Sequence, residues 1–282
     1  MGPSPAMTDV AAARPRALTI AGSDSGGGAG IQADLKTFTV LGVYGMSAVT
    51  AVTVQNTEGV AGYEAMPPAI VADQIRAVVT DIGVDAAKTG MLANAAIVSA
   101  VADAVEETGV RKLVVDPVSI SKHGFGLLTG EAVAALRARI LPLATLVTPN
   151  LPEAAALSGL EVEGRDDMRR AADAILAAGA RAVLVKGGHL QDGGENAAAD
   201  LFVDPEVEEW LIEPRIATPH THGTGCTLSA AIAAHLARGE GLLQAVRAGK
   251  AFVTEAIRHA MALGHGIGPV DQLWPIPREG LP

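Results

Sequence analysis

Cysteine and aromatic side chains are the scarcest groups in this 282-residue chain. Its one cysteine, Cys226, excludes an internal disulfide and suits a reducing compartment. Aromatics make up 3% of the residues, so Ala, Val, Leu and Ile have to fill the core. Cations are the minority charge: 21 basic against 31 acidic side chains leave a formal net charge of −10. That balance opposes a broad nucleic-acid-binding face, but not a small phosphate ligand held by local positive potential. No uncharged apolar run reaches about 18 residues, so no membrane-spanning helix is expected. The start, Met1–Arg16, carries Pro3, Pro5 and Pro15 and lacks the apolar centre of a secretory signal. It is expected to be a disordered tail, with Met7 an alternative first residue, and the protein to be cytoplasmic.

What is present reads as globular. Hydrophobic residues make up 49% of the chain, and the mean hydropathy is +0.31. A chain of this length buries roughly 75% of its unfolded surface and needs no staples. Short β-branched runs alternate with longer Ala-rich helical patterns. Strands are expected at Ala17–Ala21, Ser47–Val54, Ala86–Lys88, Lys112–Asp116, Leu146–Thr148 and Ala182–Lys186. Helices are expected at Gly30–Leu41, Pro68–Ile82, Ala95–Thr108, Gly130–Leu141, Pro152–Leu157 and Asp166–Ala178. A hairpin around Asp204-Pro-Glu206 joins Ala199–Val203 to Glu208–Ile212, and two helices follow, Gly223–Ala237 and Leu242–Leu263. Such alternation implies βαβ units and a parallel sheet covered on both faces. No linker or repeat divides the chain, so residues 17–282 are expected to form one domain. Ligands of such sheets sit at the carboxyl ends of the strands.

The chemistry-bearing residues fall at those ends. After the first strand comes Ala21-Gly-Ser-Asp-Ser-Gly-Gly-Gly-Ala-Gly30. Gly28-x-Gly30-x-x-Ala33 superficially fits a dinucleotide fingerprint, but Val49 and Thr50 stand where a ribose-holding acid would be needed. No Walker A pattern occurs; the one Gly-Lys pair, Gly249-Lys250, is followed by Ala251. The glycine turn answers either to positive φ alone or to close backbone approach of a small substrate, with Asp34 one helical turn further on. Asp116-Pro-Val118 suits a carboxylate that meets Mg²⁺ through water, or one that caps its own loop. Asn150 and Glu153 have the spacing of a helix capping box, and equally of an element ordering water around a Mg²⁺–nucleotide. Lys186-Gly-Gly-His189 suits a phosphate neighbour; an exposed lysine before a loop is the plain alternative.

The densest signal is His220-Thr-His-Gly-Thr-Gly-Cys-Thr227, leading into the apolar run Leu228–Leu236. Glycines and threonines at a helix start present free N–H groups and the positive end of the helix dipole, a site for an anion. Cys226 lies in the same turn, as a small buried apolar residue or as a thiol activated by the helix start. A metal site from His220, His222 and Cys226 ranks last, since no fourth ligand accompanies it.

Together these segments resemble the hydroxymethylpyrimidine/phosphomethylpyrimidine kinases of thiamine biosynthesis, members of the ribokinase-like superfamily. The resemblance runs from about Leu18 to Trp274. It is carried by Ala21–Phe38, Val54-Gln-Asn-Thr57, Lys88-Thr-Gly-Met-Leu92, Asp116-Pro-Val118, Thr148–Ala154, Lys186-Gly-Gly-His189, Thr221–Ser229 and Gly266-Ile-Gly-Pro-Val270. It implies a ribokinase-like three-layer αβα sandwich with a mainly parallel central sheet. It also implies ATP-dependent phosphorylation of 4-amino-5-hydroxymethyl-2-methylpyrimidine to its monophosphate and then to the diphosphate. By that pattern Gln55 hydrogen-bonds the aminopyrimidine edge, and Gly22, Asp34, Met91 and Val118 line the pyrimidine pocket. Asp116, Asn150, Glu153, Lys186 and Thr221 serve ATP and its phosphates, with Mg²⁺ held by Asp116 and Glu153 through water. The Gly223, Thr224, Gly225 and Cys226 backbone forms the anion hole, with Cys226 standing where related kinases carry an aspartate base. A homodimer is also implied.

Three departures stand out. Ser119 replaces a methionine, His123-Gly-Phe-Gly126 lacks an acidic residue that the family usually has there, and Thr218-Pro-His220 replaces a more polar approach to the anion hole. The missing acid bears on the second phosphorylation, and Ser119–Gly126 is a candidate lid. The alternatives are a pyridoxal or pyridoxine kinase of the same superfamily and a pyrimidine-binding relative without catalysis. Cys226 and Gln55 favour the pyrimidine; Asp116, Glu153 and Lys186 favour catalysis.

Overall fold

The computed structural model describes residues 14–118, 129–188 and 197–277. Of the expected tail, residues 1–13 lie outside the described residues; the Pro15 carbonyl already accepts the Tyr44 N–H and Arg16 opens the first strand. The short apolar runs assemble in parallel. β1 (Arg16–Ser23) lies between β2 (Tyr44–Gln55) and β4 (Ala86–Thr89), and β5 (Leu113–Val115), β6 (Leu146–Val147) and β7 (Val183–Val185) extend the sheet. Antiparallel strands close both sides: β3 (Val60–Ala65) on β2, and β8 (Ala197–Val203) then β9 (Glu208–Pro214) on β7. Among the described residues the sheet has nine strands, in the order β3-β2-β1-β4-β5-β6-β7-β8-β9.

The central strands read as unbroken apolar runs because helices cover both of their faces. The pleat sends alternate side chains to opposite layers. Leu113 and Val115 enter one core and Val114 the other; Leu18 and Ile20 part from Ala17 in the same way. The first layer holds α2 (Pro68–Asp81), α3 (Ala95–Thr108), α4 (Gly130–Ala135), α5 (Leu151–Ser158) and α6 (Arg165–Ala177). The second holds α1 (Gly30–Val40), α7 (Thr224–Ala237) and α8 (Leu242–Arg258). This is the three-layer arrangement expected. Aliphatics do fill it; Phe38 and Phe202 are the aromatics among its largest fully buried side chains. α7 runs through the second core with ten of its 14 residues buried, hence its Ala-rich sequence.

Several strand ends differ by one to three residues from expectation, and three further differences have a clear cause. β3 was not expected; Asn56 builds its hairpin by accepting the Glu58 and Gly59 N–H groups on Oδ1. The helix from Gly130 is α-helical only to Ala135, then widens to a π turn over Leu136–Ile140 and tightens at Leu141–Leu143, where Pro142 has no N–H to give. α8 stops at Arg258 rather than Leu263, because the Met261 N–H turns to the Pro269 carbonyl, 2.9 Å away.

Candidate active site

Four strand ends and the start of α7 converge. Asp116 leaves β5 and Lys186 leaves β7, and their side chains meet at 3.1 Å. Glu153 Oε2 lies 3.9 Å from the same ammonium. Thr148 Oγ1 stands 3.4 Å from Asp116 Oδ1, and Ser229 Oγ 3.4 Å from Oδ2. Asn150 and Glu153 do form the capping box: Glu153 N donates to Asn150 Oδ1 at 2.9 Å, and Asn150 N to Glu153 Oε2 at 2.8 Å. Capping and proximity to Lys186 therefore coexist in Glu153. Burial works against the Lys186 charge, but Asp116 and then Glu153 hold its pKa above the ordinary lysine value. The start of α7 faces this group: a Cβ on Gly225 would lie 3.4 Å from Lys186 Nζ and 3.5 Å from Asp116 Oδ2. Lys186 is half-buried and held in that pair rather than standing free before a loop.

A cleft of about 440 Å³ opens beside Lys186. Thr221 and Thr224 line it from the start of α7, Asp200 from β8, and Lys250 and Thr254 from α8. Lys250 and Asp200 were missed by the sequence reading. Asp200 Oδ2 accepts from Lys250 Nζ at 2.6 Å, and its Oδ1 accepts the Gly187 N–H at 2.9 Å, tying the end of β7 to α8. Lys250 was passed over because it breaks the Walker pattern; a lysine inside the buried stripe of an amphipathic helix is the signal that marks it.

On the other side of the α7 start lies the glycine turn. Asp24, 3% exposed, sits at its centre and accepts the Gly26, Gly28 and Ala29 N–H groups. Burial alone would raise its pKa, but His222 and these donors hold it below the usual carboxylate range. The glycines answer first to the chain itself. Gly30 has φ +56° and a Cβ there would run into the Gly22 carbonyl; a Cβ on Gly28 would meet the His222 ring at 2.5 Å. Gly22 and Met91 do lie together, a Cβ on Gly22 falling 3.3 Å from Met91 Sδ. Gln55 is anchored by Ser25, which accepts its N–H and donates to its carbonyl. Val118 donates its N–H to the Asp116 carbonyl at 2.9 Å, on the strand end that carries Asp116.

Asp34 is fully buried and does not face open space. Lys88 Nζ grips its carboxylate at 3.0 and 2.9 Å, and Thr19 Oγ1 donates to it at 2.6 Å. Lys88, equally buried, is a third residue to which the sequence assigned no role; burial opposes its charge, yet Asp34 holds its pKa above normal. Cys226 completes the floor, its sulfur accepting the Gly30 N–H. The residue keeps some exposure, but the thiol sits deep; burial, with Asp34 and Asp116, outweighs Lys88 and pushes its pKa up to about 11. Neither histidine points to a metal: His220 Nδ1 accepts the Gly268 N–H at 3.0 Å and His222 Nε2 faces Asp24. His189, Ser119 and His123–Gly126, the candidate lid included, lie outside the described residues.

The oxygen donors of Asp116 and Glu153 are hard ligands that suit Mg²⁺ kept largely in water, with phosphate supplying the rest. A sheet with its site at the strand ends, a lysine–carboxylate pair and a helix N-terminus aimed at it make a seat for a phosphate-bearing ligand. The phosphomethylpyrimidine kinase family model matches residues 24–271. A hydroxymethylpyrimidine/phosphomethylpyrimidine kinase of Streptomyces coelicolor is 54% identical over 260 residues, covering 92% of this chain and 95% of that one. Among solved structures, Bacillus subtilis pyridoxal kinase in its ADP complex matches with TM-score 0.86 and 41% identity, over 93% of this chain and 99% of that one. A phosphomethylpyrimidine kinase from Clostridium difficile matches with TM-score 0.76 and 44% identity, over 86% and 99%. The chain belongs to the phosphomethylpyrimidine kinase family. No helix of the described residues is long and apolar enough to cross a membrane.

Proposed function

We propose that residues 17–282 act as one kinase domain that moves the terminal phosphoryl group of ATP to the hydroxymethyl oxygen of 4-amino-5-hydroxymethyl-2-methylpyrimidine. The same domain then phosphorylates the monophosphate to the diphosphate for thiamine biosynthesis. The observation that carries this is the seat of Gly225 against both Lys186 and Asp116, which sets helix N–H donors where a phosphoryl group would pass. ATP occupies the cleft beside Thr221, Thr224 and Lys250, its phosphates reaching Lys186. Asp116 and Glu153 would hold Mg²⁺ through water, with Asn150 fixing Glu153, and the ion would neutralise phosphate charge. The Gly223, Thr224, Gly225 and Cys226 backbone receives the transferring group, because a loose transition state needs aligned donors more than a strong base. Gln55 takes the aminopyrimidine edge, with Gly22, Met91 and Val118 around the ring. Asp34 supports that pocket from beneath through Lys88. The lone thiol and the use of ATP suit the cytoplasm, and the family resemblance supports a homodimer, which light scattering would register.

The test is ATP consumption with the hydroxymethylpyrimidine, with its monophosphate, and with pyridoxal. Turnover of the first two is expected. Its absence, or a strong preference for pyridoxal, overturns the reading.

A further inference from the structure

His222 is buried where three segments meet, and a backbone anion cradle leaves its side chain without a task. Its N–H donates to the Gly268 carbonyl at 3.1 Å and its carbonyl accepts the Val270 N–H at 3.0 Å, so the C-terminal segment pins it. Nε2 lies 2.9 Å from Asp24 Oδ2 and 3.3 Å from the carboxamide nitrogen of Gln55. Ionised Asp24 only accepts, so Nε2 carries a proton and donates to it.

Donor and acceptor chemistry then decides how Gln55 is turned. Thr53 Oγ1 gives its one proton to the Ser23 carbonyl at 2.9 Å, so towards Gln55, 3.2 Å away, it can only accept. With the carboxamide nitrogen on His222, two donors oppose each other, and the oxygen faces a hydroxyl already spent. Half a turn about the last bond of Gln55 removes the clash of donors: the oxygen then shares the one His222 Nε2 proton with Asp24 Oδ2, the shorter contact, and the nitrogen donates to Thr53.

We propose that His222 is a positioning residue that, held by Asp24, fixes which end of the Gln55 carboxamide points which way. It thereby selects heteroaromatic substrates that offer a donor beside an acceptor, as an aminopyrimidine does. This rests on the reading that Gln55 meets that edge. A carboxamide free to flip offers either order, and the selection is lost.

The experiment compares wild type, His222→Phe, which keeps a ring and removes the donor, and His222→Gln, which restores one. Thermal melts confirm that each variant is folded. His222→Phe is expected to raise KM for the hydroxymethylpyrimidine about tenfold or more, with kcat and the KM for ATP changed less than threefold. His222→Gln should recover most of the loss. Long-range ¹H–¹⁵N spectra of the unliganded wild type should show the Nε2–H form of His222, a readout needing neither substrate nor variant. A Nδ1–H form, an unchanged KM in His222→Phe, or a fall in kcat alone overturns the proposal. Failure of the functional reading shows differently, as wild type that turns over no pyrimidine.

Discussion

Cys226 shows how far a neighbourhood reached through the fold can reverse a local rule. A helix N-terminus lowers a thiol's pKa where water and cations share the site. Here burial is the largest influence, and the carboxylates of Asp34 and Asp116 add to it against Lys88 and the Gly30 N–H, so the thiol rises to about 11. The resting group is therefore a neutral thiol at physiological pH. A raised acid favours the protonated form in the fold, so its contribution to stability is complete below the ordinary value of 9.0 and is lost as pH rises through about 11. Because this is the chain's one cysteine, alkylation by iodoacetamide reports on it alone. At pH 8 the folded protein should react about 100-fold more slowly than the unfolded chain, as a two-unit shift requires. A rate equal to the unfolded chain's would return Cys226 to the activated thiols. The place of this residue in the motif is legible in the sequence. Its environment is not, because Lys88 and Asp34 come from β4 and α1 and no spacing rule connects them to α7.

Between elements, the decisive contact is the interlock of the glycine turn with the start of α7. Gly223 caps α7 at φ +81°, and a Cβ there would fall on the Gly28 carbonyl, while Gly28 itself gives way to the His222 ring. A side chain at 223 would meet both a strained backbone and a clash with main chain, which has little room to retreat. Gly223→Ala is expected to cost about 2–4 kcal/mol in urea unfolding and to abolish turnover. An active variant of unchanged stability would show that the two turns do not depend on each other. The glycines were visible in the sequence as a turn needing positive φ or admitting a substrate; the partners they meet first are other parts of the same chain. The strand–helix alternation was legible because periodicity is a local signal. β3 was not, since Val60–Ala65 holds Gly62 and gains its strand identity from pairing with β2. The clasp of residues 266–270 was seen only as a family-like run, because its contacts to Thr57, His220 and His222 follow no sequence period.

Across the whole molecule, an acidic protein of net charge −10 turns three lysines inward, from β4, from the end of β7 and from α8, each matched to an aspartate. Lys88 meets Asp34, Lys186 meets Asp116 and Lys250 meets Asp200, at 2.9, 3.1 and 2.6 Å. The latter two line the open side, where an arriving phosphate can compete for the cation. The Lys88–Asp34 pair is closed off on all sides and cannot be exchanged in that way. Buried pairs of this kind add little net stability, yet breaking one strands a charge without water. Lys88→Met should therefore cost about 3–5 kcal/mol, since Asp34 is left with Thr19 as its remaining donor. Lys88→Met combined with Asp34→Leu removes both charges and should recover most of that loss. Urea unfolding of the wild type, both single variants and the double variant closes the cycle, and a steady-state assay is run on each. If the pair exists for function, the double variant is as stable as the wild type and turns over poorly, because Cys226 and the Gly90 strand end lose their charged neighbour. A double variant as unstable as Lys88→Met would make packing the cause, and one that is both stable and fully active would remove Asp34 and Lys88 from the site.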